Sequence, residues 1–497
     1  MKRRTFLRGV LAGPALLASA CQANLSGPSL ALSHTSGMNV LCINIDDMPA
    51  NVLGCYGHTI VQTPHMDRFS RTAMRFARCY CQVPIGYPSR SSFLTGLRPE
   101  TTGIYDDTDP LDQRLPAETR SLPELLGQYG IYTVNIGNVF GTPGRATRRL
   151  DAFDRLEFSP LPEEYTGESR GLPPELQDEP ESHESEKQKA RLTAHVLEQL
   201  ARQKRQFFLS LDFTAPWEPS RCPDEYRRRY DPDTIPLPQA RPEEDASVPT
   251  VGKRFGRDDR ALNGSYEGAR TDEDVRQAIR SYYGCVSFID AQIGVVLEAL
   301  EHAGLSNETI VIIFGANGIQ LGEHGLWSNS TLFEQCTRVP LLIRVPGVTT
   351  KGTACDEIVE LVDLLPTLCE LLVIPPPDRL EGTSLAPLLA DPRQPWKLAA
   401  FTVCSTDRYI GCSVRTKRWR YTDWQVRETS LREFELYDLD SDPWEQTNVA
   451  RDDGCRNQRT ILANLLQRGW QVAHQRRGPS PGTPANPASY RAGRILW

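Results

Sequence analysis

Between Thr271 and Ala303 the chain carries an apolar stripe: Val275, Ile279, Tyr282, Val286, Ile289, Ile293, Val296 and Leu300, stepping by four and three. That spacing predicts one long helix with a single buried face. Thr271 suits its N-cap and Gly304 its termination. The stripe reads as core packing and not as a cofactor site. A helix of this length with one apolar face must lie on another layer of structure.

Five short apolar, β-branched runs supply that layer: 38–45, 131–136, 207–213, 309–314 and 340–345. Helical segments are expected at 66–77, 122–129 and 190–204. Strands alternating with helices predict an α/β fold, a large mixed, mostly parallel sheet flanked by helices. Residues 160–187 read as an exposed loop rich in Glu, Pro, Ser and Gly. A second irregular stretch, 214–265, is of the kind that often lines a substrate site. The character changes near residue 396. Short strands at 409–422 and 435–439, with a helix at 458–471, predict a smaller antiparallel sheet. The expected units are 38–395, 396–475 and a loose tail at 478–497.

Residues 1–21 read as a targeting segment. Arg3-Arg4 before a short apolar run resembles a twin-arginine export signal, and the run is too short to span a membrane. Ala18-Ser19-Ala20 suits a signal peptidase, and Cys21 permits lipid attachment, the one route to a membrane. An exported location, periplasm or cell envelope, is the expectation. The other twelve cysteines show no zinc-type pairing. Cys79 and Cys81 would share a face of an extended segment, and buried free thiols are the plain reading. A net charge of -7 argues against a nucleic-acid partner, because phosphate binding needs clustered cations.

Two stretches carry chemistry. The first strand ends in Asp46-Asp47, and adjacent carboxylates at a strand's carboxyl end repel unless a cation or donors lie between them. A metal site is the sharper reading, a solvated acidic turn the plainer one. The second stretch is Gly86-Tyr87-Pro88-Ser89-Arg90-Ser91-Ser92-Phe93-Leu94-Thr95-Gly96. Pro88 suits a helix start, which would aim the helix's positive end at residue 86.

Ten of those eleven positions resemble the active-site signature of the sulfatases. The resemblance extends over residues 38–475. Asn44-Ile45-Asp46-Asp47 is similar to the family's first metal motif, and Leu97 to Tyr105 has an iduronate-2-sulfatase flavour. Ser287 to Gln292, Leu321 to Gly325, Glu360 to Thr367 and Glu435 to Leu439 are similar to further family segments. The resemblance implies an alkaline-phosphatase-like fold. It also implies a Cys or Ser oxidised to formylglycine, a calcium ion, and cationic side chains around a sulfate ester.

Position by position the chain departs from that pattern. Gly86 stands at the nucleophile position, so no formylglycine is expected, and Cys81 lacks the Pro and Arg that would let it substitute. Ala316 stands where a metal-ligating Asp is implied, while Asn317 fits a family variant. Asn138 and Gly141 replace an implied Lys and His; Trp217 aligns with a second His and Asn329 with a second Lys. Asp46, Asp47, Asn317 and Arg90 survive. Three such side chains fall short of the roughly six to eight oxygens calcium takes, so calcium binding is expected to be weakened.

Two readings stay open. One is a catalytically inactive pseudoenzyme that binds a sulfated or acidic glycan or a protein, with Trp217 suited to stacking on a sugar or simply to packing. The other is an active sulfuric-ester hydrolase on a sulfated polysaccharide, using a metal-bound hydroxide held by Asp46 and Asp47.

Overall fold

The computed structural model describes residues 35–473 except 108, 110–113, 116–117, 138, 140–152, 158–181, 215, 217–221, 239–248, 250–270, 328, 407 and 428. Its centre is β1 (Asn39–Ile45), all seven residues of which are buried. Such a strand has no solvent face, hence its unbroken apolar run. It pairs in parallel with β5 (Phe207–Phe213) on one side and β6 (Thr309–Gly315) on the other. In register, Asn44 faces Asp212 and Ile45 faces Gly315. All three strands therefore finish at one edge of the sheet.

Among the described residues the large sheet has nine strands. Its order is β4 (Arg155–Glu157), β3 (Tyr132–Ile136), β5, β1, β6, β8 (Leu341–Arg344), β2 (Met74–Tyr80) and β7 (Arg338–Val339), with β9 (Ala354–Glu360) paired to β2. Strands β4, β3, β5, β1 and β6 run parallel; β8 turns antiparallel to both β6 and β2. This is the mixed α/β sheet the sequence predicts.

Two sequence expectations are corrected. Residues 66–77 are not one helix: α1 (Pro64–Ser70) ends and β2 begins at Met74. Met74 and Phe76 are buried and Arg75 is not, a period of two that the flanking helical pattern hid. Residues 182–187 are not loop but the first turns of α4 (Ser182–Gln203). There the polar residues are internally satisfied, since Lys189 Nζ lies 3.0 Å from Glu186, and Glu186 accepts from Thr214 at 2.7 Å. Strands β9 and β10 (Ala400–Ser405) went unread.

The long helix, α5 (Asp272–His302), has the expected Thr271 cap, joined reciprocally to Asp274. Its stripe from Ile279 to Leu300 is buried in one apolar core with α4 and β1. Each fully buried Val, Ile or Leu contributes about 1.5–3 kcal/mol.

Strands β10, β11 (Tyr409–Arg415), β12 (Trp419–Val426) and β13 (Arg432–Asp438) form a separate antiparallel sheet, covered by α7 (Arg456–Arg468). Buried charges join the two sheets. Arg420 pairs with Glu334 and with Glu445, both at 2.5 Å. Lys397 bridges Glu360 at 2.7 Å and Asp363 at 2.6 Å, and Arg98 meets Glu360 at 2.7 Å.

Candidate active site

The signature residues form helix α2 (Gly86–Thr95), with every residue buried. A helix enclosed on all sides must satisfy its own polar groups. Ser91 donates to Tyr87 O at 2.9 Å and Thr95 to Ser91 O at 2.7 Å, so these hydroxyls cost little when buried. Gly96, at φ 66°, closes the helix in the left-handed region. Residue 86 is the helix's first residue, so Pro88 is its third and not its first.

Helix α2 is pinned to the carboxyl edge of the sheet. Ser89 Oγ donates to Ala316 O at 2.6 Å, and Arg90 Nε to Val139 O at 3.1 Å. Arg90 Nη1 contacts both oxygens of Asp46, one of them at 2.5 Å. A β-carbon built on Gly86 would lie 3.0 Å from Arg90 Nη1 and 3.0 Å from Asp46 Oδ2. Residue 86 thus faces the Asp46–Arg90 pair, with no side chain to offer it.

Asp47 is buried and takes φ 49°, a conformation Asp tolerates better than most residues. Its Oδ1 accepts from Asn317 Nδ2 at 2.6 Å and from Asn329 Nδ2 at 3.0 Å. Burial and then the charge of Asp46 push the Asp47 carboxyl up to about 7, against the pull of those two amides. Tyr282 Oη donates to Asp47 O at 2.7 Å; burial holds that phenol well above its usual range, which makes it a poor nucleophile.

One carboxylate at this edge was not read from the sequence. Asp212, opposite Asn44 near the end of β5, is 1% exposed; among the described residues neither of its oxygens meets a donor at full hydrogen-bond geometry, and the Asn44 amide only partly eases its charge. Burial pushes it up to about 7, with Arg90 opposing and Asp46 adding to the shift. A lone acid near the end of an apolar run was the available signal, the same one that marks Asp46. Close approach of β3 and β5 depends on Gly137, at φ 112°, where a β-carbon would come within 2.7 Å of Asp212 O.

Asp46, Asp47, Arg90, Gly86, Ala316, Asn317 and Asn329 are therefore brought together. Asn138, Gly141 and Trp217 lie outside the described residues, as do Cys21 and the tail from 478.

These donors do not make a calcium cage as they stand. Both oxygens of Asp46 face Arg90, Asp47 Oδ1 is taken by two amides, and Ala316 brings no oxygen on its side chain. Among the described residues no three His, Cys, Asp or Glu side chains converge as a metal-binding group.

Residues 38–374 match the sulfatase family, and residues 322–472 match the C-terminal region of N-sulphoglucosamine sulphohydrolase. The chain belongs to the sulfatase family. Mouse iduronate 2-sulfatase is 30% identical, over 88% of this chain and 95% of the relative. Human iduronate 2-sulfatase is also 30% identical, over 90% and 96%. The sulfatase fold is seen as well in a phosphonate monoester hydrolase of Agrobacterium radiobacter, at TM-score 0.71 and 24% identity, covering 86% of this chain and 94% of that one.

Proposed function

We propose that this iduronate-2-sulfatase-like member of the sulfatase family is a pseudoenzyme that binds a sulfated or acidic glycan and does not hydrolyse it. The observation that carries this reading is Gly86. It lies against Asp46 and Arg90, where the family's nucleophile would be, and has only hydrogen for a side chain. Nucleophilic attack needs an oxygen or sulfur that can form the covalent bond, and glycine has none there.

The surrounding charges support it. They bear on the loss of hydrolysis: Arg90 spends its guanidinium on Asp46, so it is not free to hold an ester at the reacting position. Calcium binding is weakened accordingly, because the oxygens a hard cation would need are engaged by protein donors. The glycan class comes from the relatives: the iduronate 2-sulfatases, and a fold neighbour solved with its substrate D-glucosamine-2-N,6-O-disulfate. Export through the Arg3-Arg4 signal would place the protein in the periplasm or cell envelope.

The test is hydrolysis of an aryl sulfate and of sulfated oligosaccharides, alongside calcium titration by calorimetry. No turnover and weak or absent calcium binding are expected. Turnover that disappears in Asp46→Ala would overturn the proposal. Gly86→Cys alone should not bring activity back, since groups that act as a unit fail together.

A further inference from the structure

Away from the site, two thiols meet. Cys222 is half-buried and precedes a single helical turn, Asp224–Arg227, packed on α5. Cys285 is 1% exposed on α5 itself. Two distances place the Cys222 sulfur over one patch of that helix. It lies 4.0 Å from Ser281 O, one turn before Cys285. It would lie 2.8 Å from a β-carbon on Gly284, which has none. Cys285, next to Gly284 and four residues after Ser281, shares that face, and the two thiols shift one another's titration. A larger residue at 284 would push the Cys222 sulfur away.

We infer that Cys222 and Cys285 are a redox pair that closes to a disulfide by exchange with a disulfide-bearing oxidant. Cys222 attacks first, because it is the accessible member. Its thiolate bonds to one sulfur of the oxidant, whose other sulfur leaves as a thiolate. Cys285 then gives up its proton and attacks the Cys222 sulfur, expelling the second oxidant thiolate. The two protein thiols lose two electrons and two protons, and one external disulfide becomes two thiols. The neighbouring Cys285 thiol and then the Arg227 charge lower the Cys222 thiol, whereas Cys222 and burial raise Cys285. That asymmetry suits an attacking and a resolving partner. Cys81, Cys336 and Cys404 also lie near one another, but all three are 0% exposed and out of an oxidant's reach.

The bond would fasten the start of segment 222–238 to α5. The rest of that segment already rests there: Arg280 Nε donates to Arg227 O at 3.2 Å, and Arg276 Nε to Ile235 O at 3.3 Å. At its far end Pro238 borders Gly322, which also faces the Trp327 ring.

The test is peptide mapping of the full-length protein, reduced, freed of reductant and exposed to oxidised glutathione. A cross-linked peptide pair holding Cys222 and Cys285 is expected, with the other described cysteines alkylated as free thiols after denaturation. Cys285→Ala should instead trap glutathione on Cys222, and Cys222→Ser should give neither product. Absence of the cross-link in the folded wild type overturns the inference, whether or not the variants fold. So does equal labelling of Cys222 by glutathione with and without Cys285.

Discussion

Arg90 Nη1 lies against both carboxylate oxygens of Asp46, and both partners border the space that a side chain on residue 86 would enter. The pair is buried, with side-chain exposures of 6% and 9%. Its two charges come from elements distant in sequence, a strand end and the first turns of a helix. The closing of α2 onto the sheet edge is therefore also what satisfies Asp46.

Removing Arg90 leaves that carboxylate buried and unpaired. Arg90→Met should destabilise the fold by about 3–5 kcal/mol, read as a lower urea midpoint. Asp46→Asn combined with Arg90→Met should cost clearly less than the sum of the two single changes. Additive losses would show that the pair is not coupled.

Ala316 sits beside the Asp46–Asp47 edge with no side-chain oxygen and 0% exposure. Ala316→Asp adds a fourth buried carboxylate there, beside Asp46, Asp47 and Asp212. It should lower the thermal midpoint in the presence of a chelator, by several degrees, and make that midpoint rise with added calcium. An equal midpoint with chelator and with calcium would count against the geometry described for this edge.

Asp212 gives a pH dependence of definite sign. Its folded-state carboxyl is raised from 3.8 to about 7, so the folded chain holds a proton that the unfolded chain has lost between those values. Its contribution to stability is therefore greatest below the unfolded pKa and declines as pH rises towards about 7. Asp212→Asn removes that decline. The variant should be more stable than wild type at pH 8, by about 1–3 kcal/mol, and nearly equal at pH 4, in denaturant titrations at both values.

Lys397 holds the buried carboxylates of Glu360 and Asp363 at the junction of the two sheets. Lys397→Met keeps the side chain's bulk but leaves Asp363 without that cation and Glu360 with Arg98 alone. A loss of about 3–5 kcal/mol is expected. Hydrogen exchange should quicken in β10 and β9 before it does in β1. Uniform change across both sheets would mean that the junction is not a local hinge of stability.

The sequence was most legible where one rule acts alone. The stripe on α5 and the apolar runs of β1, β5 and β6 declare themselves, because burial on a helix or a central strand dictates residue type position by position. It misled at Met74–Ala77, where alternate burial begins soon after a helix ends, and at residues 182–187, where Glu186 is paired inside the fold. Within the site, Asp46, Asp47, Arg90 and Asn317 were found by motif. Asp212 was not, because one acid among six largely apolar neighbours looks unremarkable until its strand is set beside β1.

By itself, then, the sequence determined the fold class, through the spacing of its apolar runs, and the family, through its resemblance to sulfatase motifs, and it put Gly86 at the head of the signature stretch. Only the tertiary structure decided what surrounds that glycine. The ends of β1, β5 and β6 share an edge because parallel pairing in register brings them there. Which carboxylate meets Arg90, which is held by two amides and which lies buried beside Asn44 is fixed by distances across the fold, and spacing along the chain does not encode those distances.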